Sequence, residues 1–337
     1  MSVVKPDTSG DHRATESDFQ IGRSPDPEQP LPGSPPSSAA RAAFFFLIPL
    51  EMRLLSPLWL TDYYNTSCRM IPVLRNNSAS HITEQVINMD GQLEVVGIKY
   101  SDDLYGVWAT INVYEPKVKK DSKDHSQSGV LIYNGPRDQK EGAGACYSIA
   151  PSFNGDSFAR FHVTWRHAKL HKPCYDHTCP GFVQVSHRVG LGGRVLPISV
   201  YNGPQYVIDI FIFKDPKTAN WWVMYGEEKA SIGYWPSSLF SHIKENGNFS
   251  FWGGHVSGPT ASSDSPQIGS GHFAYEGYGK AAFVRNIQIV DNNNKLVTPN
   301  THKYLPGTSD KRKYSIDGYD VDNHGMHMYY DGPGNLV

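Results

Sequence analysis

The sequence has little charge, few cysteines and no long apolar run, and each shortage excludes a class of protein. Only 19% of the 337 residues are charged and the formal net charge is −2, so no basic face for nucleic acid and no acidic tail is predicted. The first strong apolar run, residues 42–50, is far too short to span a bilayer. The chain is therefore expected to bind no nucleic acid and to have no membrane span.

The start of the chain lacks an ordinary secretory leader. It reads "MSVVKPDTSGDHRATESDFQ", which is polar, whereas a leader needs an apolar core near its beginning. Residues 1–40 are rich in proline, serine, glycine and charge, and they cannot bury enough apolar surface to become ordered. Residues 1–50 are therefore interpreted as a disordered extension, or as one that carries a displaced leader remnant at 42–50.

The common nucleotide and hydrolase signatures are also missing. A P-loop and a dinucleotide fingerprint are absent, because "VGLGGRV" at residues 189–195 has neither the spacing nor the helix that they need. A serine hydrolase requires Gly-x-Ser-x-Gly before a helix, and Ser270 in "IGSGHF" is only a weak match. No cofactor is predicted.

The few cysteines include one close pair. The chain has Cys68, Cys146, Cys174 and Cys179. Four residues separate the last two, which is enough for a local disulfide in an oxidising compartment. Histidines crowd the same stretch, residues 167–179, but no standard zinc spacing occurs there. The pattern favours the disulfide and no metal, with a zinc site and free thiols as the alternatives.

Aromatic residues, glycine and proline are plentiful, and they indicate strands joined by tight turns. The chain holds 7 Trp, 19 Tyr, 15 Phe, 31 Gly and 24 Pro. From about residue 98 onward, short alternating or apolar segments are bounded by Gly, Pro, Asn or Asp, and only "WPSSLFSHI" at 235–243 is typical of a helix. We predict an all-β antiparallel sandwich over 98–337, preceded by a linker at 51–97.

One segment of this region predicts a hairpin in detail. "YVIDIFIFKDPKTANWWVMYG", residues 206–226, places Ile208, Ile210 and Ile212 on one face of a strand and Phe211 and Phe213 on the other. Both faces are apolar. The strand is therefore expected to be covered on both sides.

Three kinds of side chain are candidates for function. In "FWGGHVSG" two glycines precede His255, and glycines within a strand often mark a bulge or a close backbone approach that aims the next side chain. Glu276 lies in a loop rich in glycine and tyrosine, where a scaffold can present a functional acid. The tryptophans could stack on sugar rings or bind proline-rich chains, although core burial is the commoner role. They are Trp221, Trp222, Trp235 and Trp252.

Several strings together resemble the neprosin family, a plant group that includes secreted glutamic endopeptidases cutting after proline. They run in order from about Lys99 to Gly334 and include "YGVWATINVYEPKV", "CYDHTCPGFVQV", "FKDPKTANWWVMYG", "FWGGHV", "GSGHFAYEGYGKAAFVRNIQIVD" and "MYYDGPG". The resemblance implies an antiparallel β-sandwich, an extracellular destination, a disulfide between Cys174 and Cys179, and an upstream pro-segment that is removed. Here residues 51–97 would be a truncated pro-segment. The sequon at Asn248 agrees with secretion and glycosylation.

The resemblance also locates the family's two catalytic glutamates, and both are substituted here. One belongs to the pattern I-E-x-G-W-x-V-x-P, which "GACYSIAP" matches with Gly144 at the glutamate position. The other ends W-G-G-E, which reads "WGGH" here and gives His255. Glu141 lies three residues before Gly144, and an odd offset along a strand points to the opposite face. Little or no peptidase activity by the family mechanism is expected.

Three hypotheses follow. The first is a monomeric pseudoenzyme that binds a proline-containing peptide or a cell-wall ligand in a cleft near Trp252 and Tyr278. The second is an active endopeptidase, a hydrolase with altered dyad chemistry in which His255 acts as a base. The third is a storage or structural protein without a ligand.

Overall fold

The protein is an antiparallel β-sandwich. The computed structural model describes residues 22–23, 93–168, 173–322 and 325–335. Most of the predicted disordered extension and most of the predicted linker lie outside these residues, although residues 22–23 of the extension form a short strand. In the described part of the chain, no helix has the length and hydrophobicity that a membrane crossing needs.

Strands make up nearly all of the regular structure. In chain order they are β1 (Gly22–Arg23), β2 (Leu93–Tyr100), β3 (Gly106–Asn112), β4 (His125–Asn134), β5 (Glu141–Ile149), β6 (Arg160–Arg166), β7 (Cys174–Tyr175), β8 (Val183–Gln184), β9 (Tyr206–Lys214), β10 (Trp221–Tyr225), β11 (Ala230–Trp235), β12 (Phe249–Ser257), β13 (Phe283–Val290), β14 (Leu296–Val297), β15 (Tyr304–Thr308), β16 (Ser315–Asp322) and β17 (Gly325–Asp331).

In the part of the chain that the structure describes, helical structure is limited to single turns. The α-helix α1 (Pro151–Asn154) follows β5, and 3-10 turns occupy Arg137–Gln139, Ser237–Leu239, Ala274–Glu276 and Thr301–Lys303. The turn at Ser237–Leu239 lies where the sequence predicts a helix. That helix is shorter than expected because its last residues belong to the loop that leads to β12.

The strands form two antiparallel sheets that enclose one main core. The seven-stranded sheet has the order β15-β2-β12-β4-β5-β6-β7, and the ten-stranded sheet has β16-β17-β13-β3-β9-β10-β11-β8, with β1 beside β9 and β14 beside β13. Fully buried side chains of both sheets share this core, among them Val96, Val130, Ile210 and Val284. The predicted all-β sandwich is confirmed.

The predicted hairpin is present as β9 and β10, which pair from Trp221 opposite Lys214 to Tyr225 opposite Ile210. Ile208, Ile210 and Ile212 face the main core. Phe211 and Phe213 belong to a separate apolar cluster on the other side of the ten-stranded sheet. Both faces of the strand are buried, as the alternation predicts.

The first strand of the seven-stranded sheet begins before the predicted domain boundary at residue 98. β2 starts at Leu93 and pairs with β12 and β15 along its whole length. Its residues are buried throughout. The folded domain therefore includes residues 93–97, and any segment that is removed must end before them.

Candidate functional site

The candidate site lies on the outer face of the seven-stranded sheet, the face directed away from the ten-stranded sheet. Side chains alternate along β12, so Trp252 and Val256 enter the core between the sheets. Phe251 and His255 therefore point outward. Neighbouring strands place further residues on this face, namely Val95, Gln127, Leu131, Gly144, Cys146, Ser148 and His162.

A row of glycines crosses the outer face. Gly307, Gly97, Gly253 and Gly129 lie opposite one another on β15, β2, β12 and β4. The next two strands continue this row with Cys146 and His162. A Cβ atom added at Gly253 would lie 2.3 Å from the carbonyl oxygen of Val96, so only glycine permits this approach. These glycines have no side chains of their own, and the ring of Phe251 lies against Gly97 and Gly253. The row ends at a thiol and an imidazole.

His255 lies beside this row and is almost completely buried, with 3% exposure. Its Nε2 atom accepts a hydrogen bond from the amide Nε2 of Gln127, and its ring lies 6.4 Å from that of His125. Burial, together with the neighbouring His125, lowers the pKa of His255 to about 3. Burial likewise lowers the pKa of His125 to about 4. Both imidazoles are therefore neutral over the physiological pH range.

This burial predicts a pH dependence of stability. Near and below pH 6.5 the unfolded chain becomes protonated at these histidines, whereas the buried imidazoles of the folded protein stay unprotonated. The free energy of unfolding therefore falls as the pH is lowered from 6.5. In His255→Asn we expect the loss of stability between pH 6.5 and 5 to be smaller by about 2 kcal/mol. Urea denaturation at the two pH values measures it. His187→Asn, at an exposed position, is the control and should follow the wild type. Equal losses in all three proteins would contradict the assignment.

Gly144 lies on the same face as His255 but in a different rung of the sheet. It is opposite Leu131, whereas His255 is opposite Gln127. A Cβ atom at Gly144 would lie 2.2 Å from Cδ2 of Leu131 and 2.7 Å from the carbonyl oxygen of Val130. A glutamate at this position therefore requires Leu131 to move.

The carboxylate of Glu141 is fully occupied by backbone hydrogen bonds. Oε2 accepts hydrogen bonds from the backbone N–H groups of Ser241, His242 and Ile243, and Oε1 accepts one from Ala168. Only 1% of Glu141 is exposed. The side chain anchors the loop before β12 to the first residue of β5.

Glu276 and Tyr278 lie beside the ten-stranded sheet, so the structure does not bring them together with His255. Glu276 accepts hydrogen bonds from the hydroxyl of Tyr201 at 2.7 Å and from Nδ1 of His272 at 3.2 Å. The rings of Tyr201 and His272 stack at 3.8 Å. Tyr278 packs near Phe283 of β13. These residues form a surface cluster of their own.

Trp252, expected to bind substrate, does not lie on the outer face. Its side chain is fully buried in the main core, and so are Trp221 and Trp235. Of the four tryptophans, only Trp222 lies on the outside of the ten-stranded sheet, where it packs on Tyr234 at 4.8 Å. The alternation of β12 carries this signal in the sequence, since Trp252 and His255 are three residues apart and must face opposite sides.

The sequence reading missed a pair of side chains on the outer face. Nδ1 of His162 lies 2.6 Å from Oδ2 of Asp176, and Cys146 is the cross-strand partner of His162. The alternation in "FHVTW" places His162 opposite to the core residues Phe161 and Val163. Its neighbours depend on strand register, which the sequence does not show.

The predicted disulfide is confirmed, because Cys174 and Cys179 are bonded with their Cα atoms 5.6 Å apart. Among the described residues, no group of three or more His, Cys, Asp and Glu side chains is placed to hold a metal ion. Ser270 is not a free nucleophile either, since its hydroxyl donates to the buried carboxylate of Asp331. Asn248 is exposed before β12.

Two packed antiparallel sheets, with the candidate site on the outside of one of them, define an antiparallel β-sandwich. A family model described as Neprosin matches residues 122–333. The chain belongs to the Neprosin family, as its motifs indicate. It is thereby a member of a peptidase family.

Solved structures of two glutamic peptidases are similar to this chain. Scytalido-glutamic peptidase with a peptide-based transition state analog has 7% identity and a TM-score of 0.36, over 71% of this chain and 97% of that one. SCP-B of the Eqolisin family, in complex with the tripeptide Ala-Ile-His, has 8% identity and a TM-score of 0.33 over the same shares. The fold class itself rests on the two sheets described above.

Proposed function

We propose that this protein is a secreted pseudoenzyme that binds a proline-containing peptide or a cell-wall ligand on the outer face and does not cleave it by the family mechanism. The observation that carries the proposal is the state of His255, which is neutral, buried and hydrogen-bonded to an amide. Gly144, the other position at which the resemblance expects a glutamate, has no side chain at all.

The chemistry of the family mechanism requires two acids. One takes a proton from water, and the other helps to stabilise the tetrahedral intermediate. An imidazole with a pKa of about 3 is a poor base near neutral pH. The nearby carboxylates have other partners, since Asp124 binds Thr260 and Glu94 binds Ser309 and Lys313. Water activation by paired carboxylates is therefore not expected.

The same proposal includes processing of the chain. The resemblance implies a removable pro-segment, and the strand that begins at Leu93 requires the cleavage to precede that residue. Side chains of the outer face are buried, with His255 at 3% and Gln127 at 3% exposure. Ligand entry therefore needs an opening of this face. Mass spectrometry of the mature N-terminus from native tissue tests the processing step.

The ligand proposal is tested by calorimetry and by a cleavage assay on the same samples. The probe is a synthetic peptide with one internal proline, and its control has alanine in place of the proline. We expect the proline peptide to bind and to remain intact by mass spectrometry. Gln127→Ala should weaken binding at least fivefold, whereas Trp222→Ala, on the other sheet, should bind like the wild type. Cleavage that is lost in His255→Ala would show an active endopeptidase instead, and absence of binding would contradict the proposal.

A further inference from the structure

The outer face also carries three side chains whose arrangement the proposed function does not use. Cys146 and His162 are directly opposed on β5 and β6, so their Cβ atoms lie within about 5.5 Å on the same face. Cys146 is a free thiol, and His162 is hydrogen-bonded to Asp176. A thiol, an imidazole and a carboxylate thus follow one another across the sheet.

The carboxylate fixes the imidazole. Oδ2 of Asp176 accepts a hydrogen bond from Nδ1 of His162 at 2.6 Å, so the proton resides on Nδ1 and the lone pair is on Nε2. The second oxygen of Asp176 accepts the backbone N–H of Val163, which holds the carboxylate against β6. The neutral tautomer produced here is the one that a general base requires.

Among the described residues, Nε2 of His162 has no hydrogen-bond partner, and the thiol of Cys146 is not hydrogen-bonded to it. Only 2% of the His162 side chain is exposed. A buried polar atom without a partner costs about 1–3 kcal/mol. Most such atoms in folded proteins are satisfied, and an orphan therefore needs an explanation. A reacting group that exchanges a proton with Nε2 during a chemical step supplies one.

The turn that presents Asp176 is strained and locked. Asp176 has a φ of +49°, in the left-handed region, which a residue other than glycine occupies at a cost. The disulfide between Cys174 and Cys179 closes the loop around it. The fold thus maintains an unfavourable backbone conformation at the residue that orients His162.

The ring of Phe251 lies over part of the glycine row, with its Cζ atom 3.2 Å from the Cβ position of Gly253. Along the row toward β12, only glycines lie next to Cys146. Gly129 is its cross-strand partner on β4, and a Cβ atom there would lie only 2.5 Å from Cβ of Cys146. Gly253 continues the same row on β12. No side chain of these two positions separates the thiol from a ligand lying along the row.

We infer that Cys146, His162 and Asp176 form a nucleophilic triad that accepts an acyl group from an ester or peptide carbonyl bound along the glycine row. Sγ of Cys146 attacks the carbonyl carbon while Nε2 of His162 takes the thiol proton. The bond to the leaving alcohol or amine then breaks, and His162 returns the proton to that group. Water then attacks the thioester carbonyl carbon while Nε2 of His162 takes its proton. The carbon–sulfur bond breaks, the carboxylic acid leaves, and the proton returns to Sγ of Cys146.

The environment of Cys146 determines how the triad works. Burial, with the nearby Asp176 carboxylate, raises the pKa of the thiol above its usual range. A preformed thiolate–imidazolium pair is therefore not the resting state. The proton must leave as the sulfur–carbon bond forms, which gives His162 the role of general base and makes its orientation by Asp176 essential.

The test uses the full chain in a Cys68→Ser background, so that Cys146 is the one thiol outside the disulfide. p-Nitrophenyl acetate is the probe. We expect a burst of one equivalent of p-nitrophenolate and an acetyl group on the peptide that contains Cys146. Asp176→Asn should slow the burst at least tenfold, and Cys146→Ala should abolish it. Thermal melting checks that each variant is folded.

The outcome is decisive for each arm. Acetylation of Cys146 only in denatured protein would show an ordinary buried cysteine and overturn the inference. A burst rate in folded Asp176→Asn and His162→Gln equal to that of the parent Cys68→Ser protein would do the same. Peptide binding by Cys146→Ala is measured in parallel. If Cys146→Ala binds the peptide but gives no burst, the triad and the proposed peptide-binding function are separate. If the parent protein gives the burst but does not bind the peptide, the triad is supported and the proposed function is contradicted.

Discussion

Glu141→Ala should lower the free energy of unfolding by about 4–5 kcal/mol, because the substitution removes the acceptor of several backbone N–H groups. Three of these groups belong to the loop at residues 241–243, and the fourth belongs to Ala168. An alanine leaves them without partners next to the core. The same loop accepts the indole N–H of Trp221 through the carbonyl oxygen of Ile243, so its release also disturbs the core.

Urea denaturation followed by far-UV circular dichroism measures this effect. Glu228→Ala, at an exposed position after β10, is the matched control and should change stability by no more than about 0.5 kcal/mol. If Glu141→Ala were as mild as its control, the carboxylate would not be anchoring the loop. A role for Glu141 in catalysis would then have to be reconsidered.

Trp252→Ala should cost about 3–5 kcal/mol, because it removes the largest kind of side chain from the fully buried core. The indole N–H of Trp252 has no hydrogen-bond partner, so the loss comes from packing and cavity formation. Trp252→Phe keeps much of the volume and should cost less than half as much. Peptide affinity of the folded variants should change little.

Chemical denaturation and calorimetry with the proline peptide test this prediction together. Trp222→Ala is the control, since Trp222 is half-buried on the outside of the other sheet. A large loss of affinity in Trp252→Ala with unchanged stability would contradict this prediction and support a substrate-binding role for this residue.

Local patterns predicted much of the fold. The alternation of Ile208, Ile210 and Ile212 with Phe211 and Phe213 predicted the hairpin and its two buried faces, because strand periodicity is a local property. The spacing of Cys174 and Cys179 favoured the disulfide for the same reason. The position of His255 beside a glycine-rich segment was also apparent.

The remaining features depend on contacts between distant residues. Glu141 accepts hydrogen bonds from a loop that follows it by 100 residues, and nothing near Glu141 in the sequence indicates that loop. Cys146 meets His162 only because β5 and β6 pair in one particular register. A shift of one residue would place them on opposite faces. Pairing of this kind requires the structure.

We propose the outer face of the seven-stranded sheet as the ligand-binding face. A peptide with a benzoylphenylalanine residue next to its proline, crosslinked by light to the purified protein and mapped by mass spectrometry, tests it most directly. We expect crosslinks in β4, β5 and β12, and their loss when unlabelled proline peptide is in excess. Crosslinks confined to the aromatic side of the ten-stranded sheet, around Trp108 and Trp222, would contradict it.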